Sequence, residues 1–214
     1  ALFMKSRSYT MNIDESLLAL ISKPVRKHQD CIDVILNTMK FWNLFSSKKI
    51  DSLSAKLIIS VGKMSRLFII RENRVESILF PFTVVESESG VRFISKSIGD
   101  ITNFHISRAS SIINNQSYNS GCIYEFSDSV IDSADVLPNF WGFIRELMDF
   151  EGGYVRYDTD AKNENGDLHP LHHLDIFFSS SATFKVGKDN VACYDDLIDV
   201  LDVSSGCWYL HKSD

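Results

Sequence analysis

Paired cysteines are missing from this chain. Cys31, Cys122, Cys193 and Cys207 stand far apart with no C-x-x-C, which excludes zinc-knuckle and thioredoxin-like chemistry. Four free thiols fit a reducing compartment, so a cytoplasmic location is expected. Proline is scarce, at four residues, and charged residues make up only 23% of the chain, which argues against disorder. No apolar run approaches the roughly 20 residues of a membrane-spanning helix. The opening ALFMKSRSYTMN has no signal-like hydrophobic stretch, and Met4 and Met11 are the candidate natural starts. Positive charge is in deficit: 22 Lys and Arg against 28 Asp and Glu give a net charge of −6. Nothing therefore draws the whole molecule to nucleic acid or an anionic membrane, and an RNA partner would need a local basic groove.

Several motifs are absent too. There is no G-x-G-x-x-G, no G-K-S or G-K-T, no G-x-S-x-G elbow and no H-E-x-x-H. Dinucleotide, P-loop, α/β-hydrolase and zincin readings fall with them, and no cofactor is expected. Ser179, Ser180 and Ser181 then read as a polar turn, and the acidic residues Asp195, Asp196, Asp199 and Asp202 as a solvated helix face.

What the chain has in quantity is apolar residues, at 44% with fifteen Phe, enough for the core of one domain over 1–214. Residues 12–45 read as helical: one helix from Asp14 to Ser22, then a second with Pro24 in its first turn. The second carries Val25, His28, Ile32, Ile35, Leu36, Met39 and Trp42 at helical spacing. Residues 55–126 are strand-rich. KLIISVGK, SRLFIIRE, ESILFPFTVVE and GVRFISKS read as a four-stranded meander, with Pro81 marking an edge or bulge. Residues 99–115 lean to helix, and Gly121–Phe126 reads as a strand. Residues 139–203 hold a helix with Phe140, Ile144, Leu147 and Met148 inward, a polar hairpin and a closing helix. This order predicts an α+β fold, with a helical N-terminal layer on a mostly antiparallel sheet.

The densest chemistry lies in GYVRYDTDAKNENGDLHPLHHLDIFFSSSATFK, residues 153–185, where His169, His172 and His173 fall within five residues. Side chains alternate across a strand, so Tyr154, Arg156, Asp158 and Asp160 share one face. In the partner strand His173 and Asp175 share a face, and His172 takes the other with Leu174 and Ile176. Hairpin pairing would bring Arg156 and Asp158 beside His173 and Asp175, with His169 folding over from the strand entrance. His28 and His105 read as core-edge histidines instead.

Three chemistries fit this set. In the first, His173 is an acid–base group oriented by Asp175, Arg156 stabilises a phosphate and His169 is a second acid–base residue. In the second, His169, His173 and Asp175 ligate a metal, but their spacing is poor and no tightly bound zinc is expected. In the third, the cluster is a structural network that closes the hairpin.

The pattern Arg156-x-Asp158, His169-Pro170, His173-Leu174 resembles an uncharacterised bacterial family catalogued as domain of unknown function 2290. A related arrangement occurs in small toxins of the TumE type from toxin–antitoxin loci. The resemblance covers about the last 60 residues. It departs at Lys185-Val186-Gly187, where the family pattern would have Arg-x-Pro. It implies a bacterial, cytosolic protein from a phage-defence or toxin locus, with a protein partner such as an antitoxin. Two functions are then expected: an effector that cleaves RNA phosphodiesters, or a non-catalytic subunit that binds a protein partner.

Overall fold

The computed structural model describes residues 7–22, 24–45, 54–62, 64–88, 90–115, 118, 123–134, 136–179, 182–202 and 205. Met4, Cys122, Ser180, Ser181, Val203 and Cys207 lie outside them. The fold is α+β, as expected, and is organised around a seven-stranded antiparallel sheet in the order β1-β2-β3-β4-β8-β9-β10. Its strands are β1 (Arg7–Ile13), β2 (Ala55–Val61), β3 (Arg66–Arg71), β4 (Arg74–Leu79), β8 (Val155–Thr159), β9 (His172–Ser179) and β10 (Ala182–Lys188). A second sheet holds β5 (Thr83–Ser87), β6 (Gly90–Ser95) and β7 (Gly99–Asp100).

Among the described residues six helices flank the sheets: α1 (Glu15–Ile21), α2 (His28–Phe45), α3 (Asn103–Ile113), α4 (Ile123–Ala134), α5 (Phe140–Asp149) and α6 (Tyr194–Leu201). Among the described residues no helix is long and apolar enough to cross a membrane. The main core lies on one face of the large sheet. There Met11, Leu57, Leu67 and Ile78 meet Ile32, Ile35, Leu36 and Met39 of α2 and Phe140, Phe143 and Ile144 of α5. The other face carries a smaller core in which Phe68, Val75, Tyr157 and Leu174 pack under Leu197 of α6. Both faces of the central strands are thus apolar along most of their length, which is why their sequences read as near-continuous hydrophobic runs.

Several local expectations need correction. β1 is a strand with Tyr9, Met11 and Ile13 buried in strict alternation, and the helix begins only after it. Asp14 is the cap, its carboxylate accepting from the Leu17 N–H at 3.0 Å. Pro24 precedes α2 rather than opening it. The Asp30 carboxylate accepts from the N–H groups of Arg26 and Lys27 at 2.7 and 2.9 Å and turns the chain into His28.

The run around Pro81 is two strands in two sheets. Phe80 and Phe82 both insert into the main core, and the proline between them has no N–H for a ladder. The four-stranded meander therefore stops at β4. Residues 123–134 form α4, not a strand. Phe126, Val130 and Ser133 are buried at helical spacing, so packing overrides the β-propensity of Ile123 and Tyr124. In α5 Phe140, Ile144 and Leu147 are buried as expected and Phe143 joins them, whereas Met148 is exposed.

Candidate functional site

The main core reaches β8 at Tyr154 and ends there. Beyond it, the same sheet face turns polar along two cross-strand rows. One runs Glu76 (β4), Arg156 (β8), Asp175 (β9), Lys185 (β10), with charges alternating in sign. The next runs Arg71 (β3), Arg74 (β4), Asp158 (β8), His173 (β9), Gly187 (β10). Opposite charges on facing positions of neighbouring strands attract, so the first row helps hold the pairing register. Arg156, Asp158, His173 and Asp175 therefore share a face, as the hairpin parity predicts. His172 points to the other face, where its Nδ1 meets the Tyr157 and Thr159 hydroxyls at 3.0 and 3.1 Å.

Arg156 sits between the carboxylates of Asp158 and Asp175. Its Nε lies 2.6 Å from Asp158 Oδ2, and its Nη2 donates to Asp175 Oδ2. Asp158 also accepts from Arg74 Nε. Glu76 accepts from Arg71 at 2.7 Å and from the Tyr154 hydroxyl at 3.1 Å. Burial opposes the charge on Arg156, but the surrounding Tyr154, Asp158, Asp175 and Glu76 outweigh it and raise its pKa. Burial, reinforced by Glu76, pushes the Tyr154 hydroxyl up, so it stays a donor.

The network is layered. The Arg71, Arg74 and Arg156 side chains keep 21%, 35% and 22% of their surface exposed, against 5% for Glu76 and 4% for Asp158. The two carboxylates lie deeper than the three arginine side chains, although Nε of Arg71 and of Arg156 is buried as well. In a chain of net charge −6 this is a local cationic surface on a fixed support.

His173 lies in the lower layer, 1% exposed. Its Nδ1–H donates to the Pro170 carbonyl at 2.9 Å, which orients the ring and turns Nε2 inward. Nε2 has no hydrogen-bond partner and lies 3.9 Å from both Asp158 Oδ2 and Asp175 Oδ2. Pro170 can cover this point because β10 carries Gly187 there, where a Cβ would stand 3.1 Å from Pro170 Cγ.

His169 forms the roof, its ring 4.7 Å from that of His173. A quarter of its side chain is exposed. Lys185 Nζ donates to its Nδ1 at 2.7 Å, and Nε2 faces Asp160 Oδ2 at 3.3 Å. With both nitrogens so engaged, His169 does not join His173 and Asp175 as a metal ligand. Asp158 takes that place: one ligand atom each from Asp158, His173 and Asp175 fall within 4.8 Å of one another. The remaining described histidines are structural. His28 Nε2 meets the Phe150 carbonyl at 2.7 Å, and His105 completes the capping box of α3 with Thr102.

Arg71, Arg74 and Glu76 were not visible as site residues in the sequence. A signal was present in RENRVE, residues 71–76, where a two-residue turn puts Arg71 opposite Arg74 and alternation puts Glu76 on the same face.

Asp160 offers a direct check on the roof. The Asn163 side-chain amide, then His169 and the Asn163 backbone N–H, hold its pKa down at about 2. A folded-state pKa below the unfolded value means that Asp160 contributes its full stability above the ordinary carboxylate range. That contribution is lost as the pH falls toward about 2. Asn163→Ala should move the carboxylate titration, followed by NMR at the Asp160 side-chain carbon, back toward 3.8. An unmoved titration would contradict the placement of Asn163.

No family model, curated protein or solved structure matches this chain, so the geometry of the polar face stands without a relative to interpret it.

Proposed function

We propose that the polar face binds and cleaves RNA phosphodiesters, in a prokaryotic effector of the defence or toxin type. The observation that carries this reading is the layering of the network. Buried carboxylates orient three arginines whose side chains stay partly exposed, although Nε of Arg71 and of Arg156 is itself buried. Preorganised guanidinium groups match phosphate oxygens in bidentate geometry and stabilise the charge that develops during cleavage. Arg156 and Arg74 would hold the phosphate. Asp158 and Asp175 would orient them.

Acid–base work falls to His169, the imidazole of the cluster that reaches solvent, with Asp160 as its orienting group. Lys185 is exposed on β10, so its ammonium can turn to a phosphate oxygen and leave His169 Nδ1 free to take a hydroxyl proton. His173, covered by Pro170, supports the face from beneath. The resemblance to uncharacterised bacterial and TumE-type toxin sequences agrees with such an effector and with a protein partner that controls it.

A second reading is favoured by one observation. The arginines and carboxylates of the two rows are paired with one another, as a structural network would be, which suits a non-catalytic subunit that binds its partner elsewhere. A labelled single-stranded oligoribonucleotide incubated with the purified protein separates the two. Cleavage by the wild type, lost in His169→Ala, supports the effector; no cleavage across the neutral range leaves the subunit.

A further inference from the structure

The centre of the network is short of donors and acceptors. His173 Nε2 is buried without a hydrogen-bond partner and faces two carboxylate oxygens at 3.9 Å each. A buried imidazole nitrogen set against two anionic oxygens is satisfied only by a shared cation or proton. Arg156 supplies positive charge there but not good geometry. Its Nε is 2.6 Å from Asp158 Oδ2, yet this buried Nε makes no directed hydrogen bond. Two buried nitrogens without a directed hydrogen bond thus converge on Asp158 Oδ2.

We propose that His173 Nε2, Asp158 and Asp175 form a binding site for a hard divalent cation, with the Arg156 guanidinium as its built-in competitor. One imidazole nitrogen and two carboxylate oxygens suit manganese, magnesium or ferrous iron better than a thiophilic metal. Their ligand atoms lie within 4.8 Å of one another, so a small inward shift closes them on one ion. The Pro170 carbonyl holds the His173 ring through Nδ1, and Arg74 holds the other oxygen of Asp158. Entry of the ion would release Arg156 toward the exposed side of the face. The proximity of Arg74 and Arg156 keeps the wild-type site weak, in agreement with the expectation that no zinc is carried through purification. The site follows from these contacts whether or not the face acts on RNA, and its test uses no substrate.

Manganese is the probe, because bound and free ions differ in their electron paramagnetic resonance signal. Wild type, Arg156→Gln and Arg156→Gln/His173→Gln should be titrated with manganese chloride, with folding checked by circular dichroism. Arg156→Gln is expected to bind about tenfold more tightly or better than wild type, because a neighbouring positive charge is gone. The double variant is expected to lose that gain. Equal binding by all three, or a gain that survives His173→Gln, would mean adventitious surface binding and overturn the site. If Arg156→Gln does not fold, the wild type decides alone. Manganese should then broaden the His173 ring resonances before those of His28 and His105, and the reverse order or none would overturn the proposal.

Discussion

Asp158→Ala should cost about 3–5 kcal/mol of folding stability, which breaking a buried ion pair from one side typically costs. Asp158 is the hub of the lower layer. It accepts from Arg74, lies 2.6 Å from Arg156 Nε and faces His173, with only 4% of its side chain exposed. Its removal strands two arginines that alternate with it across β4 and β8. Because both arginines are partly exposed, they can turn to water, and the lower end of that range is the firmer expectation. Asp158→Asn keeps the shape and one acceptor oxygen, and should cost less, about 1.5–3 kcal/mol. Urea unfolding measures both, and a loss below about 1 kcal/mol in the alanine variant would mean that the network does not hold the sheet together.

His169→Ala should do the opposite. If its imidazole transfers the proton, cleavage falls by about 10² to 10⁴ while the melting temperature stays nearly unchanged. The ring lies on the surface of the cluster and its polar contacts are to Lys185 and Asp160, both of which water can replace. His173→Ala should instead cost stability, about 1–3 kcal/mol, because the Pro170 carbonyl loses its donor beneath the roof. For a domain of this length that lowers the melting temperature by about 2–4 °C per kcal/mol. The contrast between the two histidines is the useful readout. A His169 variant that melts early but cleaves at full rate would remove the catalytic role.

The polar hairpin was legible from sequence because it depends on local rules. Alternation from Tyr154 and from His173 fixes which side chains share a face once the two strands pair. The partners on β4 were not legible. Arg74 and Glu76 meet Asp158 and Arg156 through pairing of strands about eighty residues apart, and nothing in the sequence marks which strand will neighbour β8. The depth of His173 was hidden for a related reason. It is set by where Pro170 and His169 settle after the loop, and by Gly187 on a third strand. The same loop turns His169 to Asp160 and Lys185, which replaces the ligand set suggested by spacing with Asp158, His173 and Asp175. Residues 123–134 failed differently. Short β-prone runs follow the face they must bury, and there the buried face has helical period.

If the arginine layer on this sheet face receives RNA phosphates, as proposed, an NMR titration will register the contact. Isotope-labelled protein is titrated with a short single-stranded oligoribonucleotide at low salt and again with salt added. Shifts are expected at the side chains of Arg74, Arg156, His169 and Lys185, weakening as salt rises, because phosphate contacts release counterions. No shifts at low salt, or shifts confined to the helical side around Phe104, Ile131 and Trp141, would contradict it.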